Sequence, residues 1–299
     1  MPTTLPPRAV IVTRPSELAE LIGRHGTLPQ AKFYLRSRGQ DPDELVRRQT
    51  TLETTLHAVS SAIPLHWRRA HVMRASLDRF LFEPEDLIVA VGQDGLVANV
   101  AKYLSGQPVL GINPAPEMTE GILVRHAARA AADLYADFEK GRSRTEDRTM
   151  VEARLADGQR LVALNEVFIG HRTHQSARYR IHFGETSERH SSSGVIVATG
   201  TGATGWAKSV TRHREGAPPL PSPLDPSLAF LVREAWPSRN TGSNLTDGVI
   251  TKEMSLTLTS EMNEGGTLFG DGLEDDRLDF PWSQTATLGL AEQRLRLIL

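Results

Sequence analysis

Leu87-Ile88-Val89-Ala90-Val91 runs straight into Gly92-Gln93-Asp94-Gly95, and that junction decides how the chain is read. Five apolar residues without polar alternation are the pattern of a strand covered on both faces in a parallel sheet. A glycine-containing turn at the end of such a strand offers backbone N–H groups and one exposed carboxylate, a setting for a phosphorylated ligand. Downstream, Leu96, Val97, Val100, Ala101 and Leu104 form one helical face ending near Gly106, and Pro108–Ile112 supplies the next strand. This is a βαβ unit with its polar loop at the carboxyl end of a strand, where open α/β sheets bind ligands.

Upstream the same alternation holds. Arg8–Thr13 is an apolar strand followed by Pro15 and Ser16, which suit a helix start. Asp41, Pro42 and Glu44 have the order of an N-cap, a first helical residue and a third-position acid. Leu45, Leu52, Leu56, Val59 and Ile63 then recur at helical spacing, predicting an amphipathic helix of about five turns.

The second half changes period. Residues 139–148 are charged and without apolar periodicity, so the domain boundary is expected there: an α/β domain over 1–144 and a β-rich domain over 145–299, the extreme C-terminus returning to the first. Val151, Ala153 and Leu155 alternate up to Asp157-Gly158, a hairpin turn, and residues 161–169 are read as the partner strand. Met254, Leu256 and Leu258 alternate with polar residues, as do Leu288 with Leu290 and Leu295 with Leu297, so this half is expected to be mostly antiparallel β. Residues 216–226 carry five Pro and read as a surface loop.

Composition sets limits. The 299 residues suffice for two cores. With 34 Lys+Arg against 36 Asp+Glu, the net charge of -2 gives no global basic field for nucleic acid or an anionic membrane. The absence of Cys removes disulfides and thiolate chemistry and fits a reducing compartment. Met1–Arg8 lacks the order of a signal peptide, and no run approaches the ~18 apolar residues of a membrane span, so a cytoplasmic, soluble protein is expected.

Two further segments carry chemistry. Asn165 and Glu166 interrupt an apolar run, where an unpaired carboxylate is costly; either an internal salt bridge to an Arg or a ligand must meet them. Gly200-Thr201-Gly202-Ala203-Thr204-Gly205 matches G-x-G-x-x-G after Val195–Ala198, yet a Rossmann site also needs a helix, a second parallel strand and an acid about 20 residues on. Residues 212–226 are basic and then Pro-rich, so that reading fails. A hydroxyl and backbone-amide cradle with Trp206 packed beside it fits better. Asp94 has a bland alternative as the cap of the following helix. Asp271, between Gly270 and Gly272, reads as a tight turn, and Arg142, Arg144 and Arg148 as a solvated linker. His171 and His174 lack a third ligand at fitting spacing, so no metal site is assigned.

In their order and spacing, the GQDG turn, Leu164-Asn165-Glu166-Val167 and Thr199-Gly200-Thr201-Gly202-Ala203-Thr204-Gly205-Trp206 resemble the NAD kinase family, whose signatures are a GGDG loop, an NE pair and a TPTGSTAY-like segment. The likeness spans roughly residues 85 to 299; before that it is limited to Arg8–Thr13 and residues 30–34. It is closest to the mitochondrial-type enzymes and their bacterial relatives, through residues 163–170 and Ser192-Ser193-Gly194.

The resemblance implies an α/β domain with a Rossmann-like, phosphofructokinase-like parallel sheet and a mostly antiparallel all-β domain, the NAD kinase/diacylglycerol kinase-like plan. It implies phosphoryl transfer from ATP or polyphosphate, with Mg²⁺ carried by the ATP, to the 2′-hydroxyl of the adenosine ribose of NAD. Asp94 would be the general base, with Gly92, Gln93 and Gly95 at the donor phosphates. Asn165 and Glu166 would hold ribose hydroxyls and adenine, and Thr199, Thr201 and Gly202 would build the cradle. Thr204 and Ser209 would lie near the nicotinamide half, Gly205 and Trp206 along the pocket, and Ser193 near a subunit boundary in a homodimer or higher homo-oligomer.

Two departures stand out: Gln93 replaces a family Gly, adding a Cβ that disfavours positive φ and crowds a phosphate, and Leu96 stands where Thr is usual. They leave open a catalytically altered NAD-binding homologue. A lipid or diacylglycerol-type kinase shares the loop but not the Asn165-Glu166 and TGTG elements.

Overall fold

The computed structural model describes residues 5–212, 214 and 216–299, in two compact units: Met1–Glu146 with Arg296–Leu299, and Asp147–Leu295. The first unit opens with β1 (Arg8–Thr13), α1 (Glu17–His25), α2 (Leu28–Ser37), α3 (Pro42–Ser61) and β2 (Arg68–Met73). It continues through β3 (Asp86–Val91), α4 (Asp94–Ala101), β4 (Pro108–Ile112), α5 (Ala131–Glu139) and β5 (Thr145–Arg148). Ser16 caps α1 by accepting from Ala19 N, and Asp41 caps α3 by accepting from Asp43 N. The sheet has the order β2, β1, β3, β4, the terminal strand Leu295–Ile298, then β5, and the first four strands are mutually parallel.

The continuous apolar run of β3 is buried at every position, as a doubly covered strand requires. Leu87, Val89 and Val91 meet Val59, Trp67, Leu110, Ala131 and Tyr135 in one core. Leu295–Ile298 departs from the expected antiparallel pairing: it lies parallel to β4, with Leu297 opposite Val109. Residues 139–148 are also more ordered than a linker, since α5 ends at Glu139 and β5 begins at Thr145. Arg148, expected to be solvated, is buried.

The second unit contains β6 (Val151–Leu155), β7 (Arg160–Ala163), β8 (Glu166–His171), β9 (Ala177–Phe183), β10 (Thr186–Ser192) and β11 (Val195–Ala198). The terminal strand Leu295–Ile298 of the first sheet is β18, and after α6 (Trp206–Thr211) the second unit adds β12 (Leu228–Val232), β13 (Asp247–Ile250), β14 (Leu256–Ser260), β15 (Gly266–Gly270), β16 (Leu273–Asp279) and β17 (Thr285–Leu290). They form two antiparallel sheets, ordered β10, β9, β14, β17, β6, β7 and β13, β12, β11, β8, β15, β16.

Alternating side chains such as Ala177, Tyr179 and Ile181 of one sheet share a core with Val167, Val197 and Phe230 of the other. Truncating the fully buried Phe230 to Ala would cost about 3–5 kcal/mol. The outer faces of β11 and β12 are covered by α6, where Trp206, Ala207 and Val210 pack on Ile196 and Leu231. Residues 216–226 hold no helix or strand, as the Pro content predicts, while Met254 falls outside β14 and is exposed.

Candidate functional site

In the first unit, Gly92, Gln93, Asp94 and Gly95 stand at the junction of β3 and α4. Gly92 N donates to Ile112 O at 3.0 Å, fixing the turn to the end of β4. Asp94 does not cap the helix. Gln93 holds the N-cap position without a side-chain cap bond. The Asp94 carboxylate instead accepts three backbone N–H groups: Ile122 at 2.9 Å on Oδ2, and Leu123 at 2.8 Å and Val124 at 2.9 Å on Oδ1. A carboxylate offers about four acceptor positions, so one remains on Oδ2 for a ligand proton.

The segment 122–124 went unread in the sequence, although Gly111 inside an apolar strand was a signal. A Cβ at Gly111 would lie 2.1 Å from Leu123 O, and one at Gly121 2.3 Å from Val124 O, so both glycines permit the close approach that delivers these donors. The expected strain at Gln93 is absent. Its backbone is extended (φ −102, ψ 165), and its Oε1 accepts from Arg14 Nη2 at 2.8 Å. Leu96 is buried and packs beneath Gly92.

In the second unit, the strand expected over 161–169 is broken. β7 ends at Ala163 in one sheet and β8 starts at Glu166 in the other, with Leu164 and Asn165 in a bend between them. Two groups capture the freed backbone. Asp271 accepts from Leu164 N at 2.9 Å and Asn165 N at 2.6 Å, and Thr199 donates from Oγ1 to Leu164 O at 2.5 Å and from N to Asn165 O at 2.9 Å. Thr199 Oγ1 also accepts from Thr201 N and Gly202 N, so this buried hydroxyl holds the loop together. Thr201 Oγ1 accepts from the buried Arg148 at 3.5 Å. Gly202 is required by contact, since a Cβ there would lie 2.2 Å from Asn165 O.

The remaining expected site residues are open. Asn165 and Glu166 are half-buried, and Thr204, Gly205 and Ser209 are exposed. Trp206 stacks on Phe168 at 5.6 Å, with the Arg233 guanidinium 5.0 Å from its ring centre. The salt-bridge alternative for Glu166 is not realised among the described residues; burial and then the neighbouring Asp271 carboxylate push Glu166 up to about 7. Ser193 is exposed before the start of β11, whereas Glu166 pairs with Ala198 at that strand's other end, so the two are not brought together within the chain. His171 Nδ1 accepts from Thr173 N and closes its own turn.

No protein-family model matches the chain. Over 257 residues it is 26% identical to the NAD kinase of Pseudomonas entomophila (strain L48), covering 83% of this chain and 81% of that one. Among solved structures it is similar to yeast NADH kinase complexed with NADH, with a TM-score of 0.58 and 16% identity over 99% of this chain and 84% of that one. It is also similar to an NAD kinase from Archaeoglobus fulgidus in complex with ATP, with a TM-score of 0.57 and 18% identity over 98% of this chain and 93% of that one. A parallel sheet with a GQDG turn and a pair of antiparallel sheets with an Asn-Glu bend make up a fold similar to that of these two structures. In sequence the chain is similar to an NAD kinase over 257 residues, and its fold is that of NAD and NADH kinase structures.

Proposed function

We propose that the protein transfers the γ-phosphoryl group of ATP to the 2′-hydroxyl of the adenosine ribose of NAD, giving NADP. The observation that carries this reading is Glu166, a half-buried carboxylate with no cationic partner among the described residues and a second carboxylate beside it. Folding alone gives no return for that arrangement, whereas a ligand presenting hydroxyl donors does. A lipid acceptor would leave it unexplained.

Such a transfer depends on positioning and on neutralising charge. In this reading Asp94 takes the proton of the acceptor hydroxyl as the new O–P bond forms and ADP leaves, using the acceptor position free on Oδ2. Gly92, Gln93 and Gly95 meet the triphosphate. Asn165 and Glu166 bind ribose hydroxyls and adenine, Thr204 and Ser209 face the nicotinamide half, and Trp206 walls the pocket. Mg²⁺ enters with the triphosphate as part of the substrate.

Within the family we assign the protein to the mitochondrial-type branch and to a cytoplasmic homodimer, in which Ser193 contributes to the partner's adenine site. The exposed position of Ser193 before the start of β11, with Glu166 opposite the other end of that strand, supports that role. Among the described residues no helix is long and apolar enough to cross a membrane. A coupled assay for NADP with ATP and with polyphosphate, beside titrations of NAD, NADH and ATP, tests the reading. NAD binding without NADP from either donor would convert the protein into a binding module, and a light-scattering monomer with full activity would remove the role of Ser193.

A further inference from the structure

The turn between β15 and β16 looked like a connector in the sequence, but its central residue does more than turn. Asp271 has φ 53, a left-handed conformation that L-residues other than Asn and Asp rarely hold. That conformation is coupled to two sets of bonds. The Asp271 N–H donates to Glu166 O at 3.1 Å, while its carboxylate receives Leu164 N on Oδ2 at 2.9 Å and Asn165 N on Oδ1 at 2.6 Å. One residue, more than a hundred positions away in sequence, thus touches all three residues at the break between β7 and β8.

We propose that Asp271 is a positioning residue for dinucleotide binding: its carboxylate holds the backbone bend from which Asn165 and Glu166 present their side chains to the ligand. The inference rests on the reading of the protein as an NAD kinase. The bonds are charge-assisted, with one ionised acceptor serving two adjacent amides, the kind that fixes geometry as well as energy. Glu166 pairs with Ala198 of β11, which carries no charge, and Gly270 of β15 lies opposite Val167 beside it. The charged group acting on Glu166 is therefore Asp271 itself. Asp271 places Glu166 and, by its own charge, favours the protonated form of the carboxyl it places.

Asp271→Asn tests this, because the isosteric amide keeps the turn but can accept only one of the two N–H groups well. The KM for NAD should rise about tenfold or more while the KM for ATP stays within about twofold. The pH at which NAD affinity changes should also move down, since the like charge beside Glu166 is gone. A wild-type KM for NAD with an unchanged pH profile in a folded Asp271→Asn protein would overturn the inference and leave the kinase reading intact. A wild type that neither binds NAD nor forms NADP would overturn both. If the variant does not fold, hydrogen exchange at the Leu164 and Asn165 amides of the wild type decides: protection is expected, and exchange as fast as in an open loop would overturn the proposal.

Discussion

Arg14 donates from Nη2 to Gln93 Oε1 at 2.8 Å, tying the residue after β1 to the turn after β3. The two strands are neighbours and parallel, so their carboxyl ends lie side by side. The bond occupies the Gln93 oxygen and leaves the amide N–H groups as donors. Gln93→Gly is therefore expected to raise the KM for ATP about three- to tenfold, because the proposed donor to the phosphates is lost. Arg14→Ala should have a similar effect, and the double variant should cost little more than either alone. Steady-state kinetics with ATP and polyphosphate read this directly, and a gain of activity with ATP in Gln93→Gly would mean that the side chain obstructs the donor.

Asp94 holds the 122–124 loop and is the proposed general base, so Asp94→Asn should affect both loop and reaction. Loss of a general base lowers turnover by ~10²–10⁴-fold. The new amide N–H₂ also faces backbone N–H donors, which costs about 1–3 kcal/mol. The expected outcome is a slow enzyme with a lower melting temperature and an NAD affinity within a few-fold of wild type. Wild-type turnover in this variant would remove Asp94 from the chemistry.

Glu166 gives a pH prediction of defined sign. Its carboxyl is raised from 4.5 to about 7 in the folded chain, first by burial and then by Asp271. Between those values the folded state binds more protons than the unfolded state, so stability falls as pH rises from about 4.5 to about 7. The loss is on the order of 3 kcal/mol. Glu166→Gln should remove this slope and melt higher than wild type at pH 8, while binding NAD more weakly. In the wild type, NAD affinity should tighten as pH rises through about 7, because the ionised carboxylate accepts from ribose hydroxyls. Melting curves and NAD titrations at pH 5, 7 and 8 check both, and a lower melting temperature with unchanged NAD affinity would point to a structural role.

How much of this was legible in the sequence depended on where each element sits. The β3–α4–β4 unit was readable because a central strand buried on both faces has one apolar pattern. Strands β2, β10 and β16 were not, and each is a sheet edge whose sequence, such as Thr-Ser-Glu-Arg-His-Ser-Ser in β10, is polar. Helix α5 was missed although Leu134, Tyr135 and Phe138 pack on the core beside it. The break at Leu164 was hidden for a different reason: the apolar run continues through it, and what interrupts it is a carboxylate at Asp271 and a hydroxyl at Thr199. Residue types near the site were visible, but which of them hold backbone and which remain open is a long-range property.

Gly202 and Gly95 separate these two duties. Gly202 approaches Asn165 so closely that an added Cβ would meet its carbonyl oxygen at 2.2 Å and its carbonyl carbon at 2.6 Å. Both atoms belong to backbone already held by Thr199 and Asp271, so neither can yield cheaply. Gly202→Ala should lower stability by about 1–3 kcal/mol and damage NAD binding with it. At Gly95, in the first turn of α4, an added Cβ meets nothing within 4 Å, and Ala is the better helix former by roughly 0.5–1 kcal/mol. Gly95→Ala is expected to melt at or above the wild-type temperature yet show a raised KM for ATP, because the new methyl group stands where the proposed reading brings donor phosphates to the backbone. Thermal melts beside ATP kinetics distinguish the cases, and full activity with ATP in Gly95→Ala would move the phosphate site away from this turn.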